Sequence, residues 1–75
     1  MTTQWVWYTL RLYERGYLNA SFINPEGDSR PHQWIDDAVD SYRFSNLAEA
    51  EKALSGHPLG PLVRIVRVVI RVEDV

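Results

Sequence analysis

The amino-acid sequence predicts a single small α+β domain, an antiparallel β-sheet of three to four strands with one helix packed on one face. Three observations point there. Apolar side chains alternate with a period of two near both ends of the chain, a glycine-centred return follows the first alternating run, and one capped helical segment precedes the last. The element order is then β-β-(β)-α-β over residues 1–75.

Gln4 to Tyr13 is rich in aromatic and β-branched residues and reads as the first strand. Its pleat puts Val6, Tyr8, Leu10 and Leu12 on one side and Trp5, Trp7, Thr9, Arg11 and Tyr13 on the other. Glu14-Arg15-Gly16 is a short loop in which Gly16 takes the positive φ of a three-residue hairpin with a bulge. Tyr17 to Ile23 returns as the second strand. Leu18, Ala20 and Phe22 then pair with the Leu10 and Leu12 face, and Tyr17, Asn19, Ser21 and Ile23 lie beside the tryptophans.

Turn-forming residues fill the segment from Asn24 to Pro31, which reads as a loop. Between His32 and Ser45, Trp34 and Ile35 are apolar anchors, Asp36-Asp37 suggests a turn, and Tyr42 to Phe44 is expected to form a short third strand. Ser45 to Gly56 is the helix: Ser45 or Asn46 caps it, Asn46 and Glu49 have capping-box spacing, and Gly56 ends it in a left-handed conformation. Leu47, Ala50 and Leu54 make its narrow buried stripe. His57-Pro58-Leu59-Gly60-Pro61 is a rigid connector. In the last strand, Leu62, Arg64, Val66, Val68, Ile70 and Val72 occupy one face, and Val63, Ile65, Arg67, Val69 and Arg71 the other.

A chain of 75 residues sits near the lower limit at which one apolar core offsets the entropy lost on folding. With no cysteine, neither disulfides nor thiolate chemistry contribute, and packing or association must hold the fold. The hydrophobic share of 45% and three tryptophans argue against disorder. The longest mostly apolar stretch is broken by arginines and falls far short of the ~20 residues that cross a bilayer. The opening Met-Thr-Thr-Gln-Trp has neither the basic nor the apolar region of a secretory signal, so the expected location is the cytoplasm.

The net charge of −2 is unevenly spread. Glu26, Asp28, Asp36, Asp37, Asp40, Glu49 and Glu51 crowd the middle third against Arg30 and Arg43, while Arg11, Arg15, Lys52, Arg64, Arg67 and Arg71 make the flanks mildly basic. Such a dipolar surface steers a charged partner but lacks the positive field of a dedicated nucleic-acid binder.

No catalytic signature stands out. Nucleophilic catalysis needs a positioned base, and the only imidazoles, His32 and His57, each adjoin proline in a turn, where a solvated side chain is the expectation. Neither has zinc-ligand spacing. Asp36, Asp37 and Asp40 offer oxygen ligands, but the glycine and closing glutamate of a calcium loop are missing, so a solvated acidic turn is the better reading. The four glycines are isolated and build no phosphate loop. A non-enzymatic protein without cofactor or metal is expected.

What remains is an aromatic and basic surface. Trp5, Trp7, Tyr13 and Tyr17, joined by Arg11, Arg67 and Arg71 if the first and last strands are adjacent, are residue types that stack unpaired bases. They are also the types that dominate protein interfaces, and the negative net charge favours protein over nucleic acid. The alternative is that the 24–44 segment folds over these rings, or that two copies bury them in a homodimer. Asp36, Asp37 and Asp40 complete the candidate partner-binding set, since carboxylates can occupy a basic groove.

Gln33-Trp34, Arg43-Phe44-Ser45, the helix Leu47-Ala48-Glu49-Ala50-Glu51-Lys52-Ala53-Leu54 and the valine-rich final strand together resemble the small accessory proteins of bacteriophages and prophages. In size and architecture the chain is similar to phage inhibitors of host defence such as anti-CRISPR proteins. That resemblance implies inhibition by binding a host protein machine, a CRISPR effector for instance, in the host cytoplasm. Residues carry no family roles from it. The other expectation is a structural or regulatory homo-oligomer that associates through its last strand or aromatic face.

Overall fold

The computed structural model describes residues 2–13, 15–21 and 33–75. Its elements are β1 (Thr2–Leu12), β2 (Gly16–Leu18), β3 (Trp34–Ile35), α1 (Leu47–Ser55) and β4 (Val63–Glu73). Short 3-10 turns, Ala38–Asp40 and Gly60–Leu62, precede α1 and β4. The four strands form one sheet in the order β3-β2-β1-β4, antiparallel throughout. This is the α+β domain that the alternation and the helix caps predict. The segment 24–31 and His32, Phe22 and Ile23 lie outside the described residues.

The long β1–β4 ribbon is the frame, running without a bulge from Thr2 opposite Glu73 to Leu12 opposite Val63. Residues directly opposite share a face. Leu10 and Leu12 therefore join Ile65 and Val63 beneath α1, whose Ala50 and Ala53 are buried against them. Two alanines on the buried side let the helix axis approach the sheet closely. The expected stripe is corrected accordingly: Ala53 is buried, Leu54 only half-buried, and Leu47, in the first turn, is exposed.

The hairpin forms as its glycine requires. Gly16 has φ +103°, and a Cβ there would run into the Ile35 carbonyl, so both conformation and close approach of β3 demand glycine. Strand two is shorter than expected, because the chain turns at Ala20 and Ser21 after the three residues of β2. Leu18 still joins the Leu10 and Leu12 face, as expected, and on its other side pairs with Trp34, which enters the same core.

Part of the β1 edge left open by β2 is taken up by the segment expected as the third strand. Phe44 exchanges two backbone bonds with Tyr8 (2.8 and 3.2 Å), and Tyr42 N–H donates to the Leu18 carbonyl (2.8 Å). These are isolated bridges, and the third named strand is Trp34–Ile35. Alternation still operates across 41–44: Tyr42 and Phe44 pack into the helix-side core, while Ser41 and Arg43 meet Trp7 on the opposite side.

The helix start matches the sequence pattern, with a shift. The Asn46 carboxamide oxygen accepts the Glu49 N–H (2.9 Å), and the Glu49 carboxylate accepts from Ser45, both N–H (3.2 Å) and hydroxyl (2.8 Å). At the other end Gly56 is right-handed (φ −90°), not left-handed. Pro58 disfavours helical backbone at His57 and stops the helix without help from a left-handed glycine.

Candidate interaction surface

The sheet face opposite α1 carries Trp5, Trp7, Thr9 and Arg11, paired across β4 with Ile70, Val68, Val66 and Arg64. Its middle is covered by the chain itself. Trp7 is 5% exposed; its indole Nε1–H donates to Ser41 Oγ (2.9 Å), and the Arg43 guanidinium stands 4.2 Å from its ring centroid. Ser41 is held in place by donating its hydroxyl hydrogen to the Ala38 carbonyl (2.6 Å). Of the two expectations for this face, folding of the 24–44 segment over the rings describes Trp7. It does not describe Trp5 or Tyr13, which are 49% and 77% exposed.

The split follows from strand length. Covering residues 38–43 reach only the central part of a ribbon whose strands are 11 residues each, and the molecule is elongated, 44 × 23 × 20 Å. The distal ribbon, residues 2–6 and 69–73, projects with apolar side chains in solvent: Trp5 and Val72 on one face, Val6 and Val69 on the other. Sequence reasoning missed Val6 and Val72 and gave Val69 only as part of a self-associating last strand. Their exposure was implicit in the lengths, since one nine-residue helix cannot cover two 11-residue strands.

Register separates the predicted arginines. Arg67 lies opposite Tyr8 and Arg71 opposite Gln4, so both occupy the helix-side face, away from Trp5 and Trp7. Arg71 also forms an exposed ion pair with Glu73. The arginine that joins Arg11 on the tryptophan side is Arg64, directly opposite it. Tyr17 is half-buried, with the Arg11 guanidinium 5.5 Å from its ring centroid.

Asp36, Asp37 and Asp40 are exposed around the 3-10 turn. Asp37 Oδ1 accepts the Val39 N–H (2.9 Å), which caps the turn. Val39, itself 48% exposed, lines a shallow groove of about 120 Å³ with Trp5, Trp7, Arg43 and Ile70. The acidic turn thus adjoins the tryptophan-bearing end of the ribbon, a juxtaposition of residues more than 30 positions apart. A groove this small falls below the roughly 300 Å³ of small-molecule pockets and suits a side chain of another macromolecule.

His57 is not a solvated loop residue. It is buried beside Trp34, ring centroids 5.5 Å apart, and its Nδ1 accepts the Leu59 N–H (3.0 Å). Among the described residues no three acidic or histidine side chains gather where they could hold a metal ion. No helix among them is long and apolar enough to cross a membrane.

No protein-family model matches the chain, and neither the curated proteins nor the solved structures contain a detectable relative.

Proposed function

We propose that this is a non-catalytic protein-binding module whose binding surface is the projecting end of the β1–β4 ribbon together with the acidic turn beside it. The observation that carries the reading is the exposure of Trp5, Val6, Val69 and Val72 at an end of the ribbon that no described element covers. Burying that surface against a partner is favourable, and tryptophan is the side chain that most often anchors such contacts. Asp36, Asp37 and Asp40 add negative charge beside the anchor, so the complementary partner presents an apolar pocket rimmed by lysine or arginine. For a chain resembling small phage accessory proteins, the matching role is inhibition of a host defence machine by occupying such a pocket, and a CRISPR effector is the proposed target.

The experiment is affinity capture from bacterial lysate with tagged chain, with and without nuclease, run beside Trp5→Lys and the triple reversal of Asp36, Asp37 and Asp40 to lysine. One stoichiometric protein that survives nuclease and is lost with both variants supports the proposal. Retention by the triple reversal removes the acidic turn from the surface, and retention by Trp5→Lys removes the ribbon end. Loss of all partners with nuclease points to nucleic acid instead.

A further inference from the structure

We infer that two copies of the chain associate through the outer edge of β4, antiparallel and centred on Val68, to make one continuous eight-stranded sheet. β4 is the edge strand of the sheet, 11 residues long, with no bulge in its pairing to β1 and no proline within it. Long, regular edge strands are templates for further pairing unless something blunts them. The direction of the unpaired groups follows from the opposite edge of β1. Tyr8 exchanges both its backbone bonds with Phe44, so its N–H and C=O turn away from β4. Backbone groups alternate sides along a strand, so the odd-numbered residues of β1 bond to β4, and their partners are the even-numbered residues there. Ile65, Arg67, Val69, Arg71 and Glu73 therefore point N–H and C=O outward with no backbone partner among the described residues, while Val63 offers only its carbonyl, since its N–H donates to the Gly60 carbonyl.

The arginines select the register. In a two-fold antiparallel pairing one residue must face its own copy, because a two-fold axis between residues would put neighbours of opposite pleat on the same face. Centred on Val68, Val63 faces Glu73 of the second copy, and the match covers the whole strand. Arg64 then faces Val72, Arg67 faces Val69 and Arg71 faces Ile65, so no arginine opposes another. Moved one residue either way, the pairing opposes Arg67 to itself or Arg67 to Arg71. Like charges directly opposite are destabilising. Centres at Val66 or Ile70 also avoid that clash, but they leave strand residues unpaired at both ends. The aliphatic stem of Arg67 would lie along the exposed Val69 of the other copy. Among the described residues, the outer edges of such a dimer carry only the two-residue β3 and the open 2–6 end of β1, both shorter than the β4 edge. The arginines thus oppose the two adjacent registers, and strand length selects Val68 from those that remain.

Sedimentation tests association, and cysteine cross-linking tests register. The native chain is expected to show a concentration-dependent mass approaching twice 8.7 kDa. Val68 turns its backbone groups to β1, so facing its copy it forms a non-hydrogen-bonded pair with Cα atoms about 4.5 Å apart, within disulfide reach. In a chain without cysteine, Val68→Cys should give a covalent dimer under mild copper-phenanthroline oxidation, and Val66→Cys and Ile70→Cys should not. Val69→Lys, which opposes Arg67 of the second copy, should weaken the dimer by roughly tenfold, and Val69→Glu should strengthen it. A monomer at every concentration overturns the inference, as does a dimer that cross-links through position 66 or 70 rather than 68, or one indifferent to the charge at 69. These outcomes are read on the chain alone without a partner, and the cross-linking at 66, 68 and 70 touches none of the residues that carry the partner surface.

Discussion

The two tryptophans Trp5 and Trp7 lie two residues apart on one sheet face, yet the structure gives them opposite roles, and substituting each measures the difference. Trp7 is 5% exposed, donates to Ser41 and lies under Arg43. Trp7→Phe keeps a buried ring but loses the indole donor and part of the packing, about 1–2.5 kcal/mol. Ser41→Ala leaves the indole N–H buried without its acceptor, which costs about 1–3 kcal/mol. In the double variant no donor is orphaned, so the two costs should fail to add by about 1 kcal/mol. Trp5 is 49% exposed and Trp5→Phe should stay within about 0.5 kcal/mol of the parent. A chain of 75 residues has roughly 4–11 kcal/mol of total stability, so these differences are resolvable. Urea unfolding followed by far-ultraviolet circular dichroism is the assay, with protein concentration fixed so that any association contributes equally. Equal costs at positions 5 and 7, or strict additivity of Trp7→Phe with Ser41→Ala, would refute the assignment of Trp7 to the core.

Further outcomes follow from particular contacts. Gly16→Ala should destabilise by more than about 2 kcal/mol in the same assay, since positive φ alone costs about 1–2 kcal/mol and the added Cβ meets the Ile35 carbonyl. A near-neutral result would contradict the hairpin geometry. Asn46→Ala should cost about 1 kcal/mol through loss of the bond to Glu49 N–H, and a neutral result would mean that Ser45 caps the helix. Ala53→Leu should cost about 1–3 kcal/mol by forcing α1 off the sheet, whereas the exposed Leu47→Ala should change stability by less than about 0.5 kcal/mol. Reversal of that order would place the other helix face against the sheet.

The sequence carried the sheet and helix well and the second sheet face poorly, for physical reasons. Alternation in Gln4–Tyr13 and Leu62–Val72 identifies strands because the pleat repeats every two residues whatever the partner. Gly16 and Asn46 are legible because their roles are local. Register is not local: nothing near Arg67 or Arg71 says that they sit opposite Tyr8 and Gln4 rather than beside the tryptophans. The cover over Trp7 depends on residues 34 and 36 positions away, Ser41 and Arg43, which look like ordinary polar surface in the chain. His57 misled for the same reason. A histidine before proline usually faces water, and only the placement of Trp34 by β3 supplies the apolar wall that buries it.

The location of the binding surface is tested most directly by hydrogen exchange on the chain alone and in complex with the captured partner. The account predicts new protection in residues 2–6 and 36–43, with α1 unchanged. Protection centred on α1, or on the hairpin loop at the opposite end of the ribbon, would contradict it.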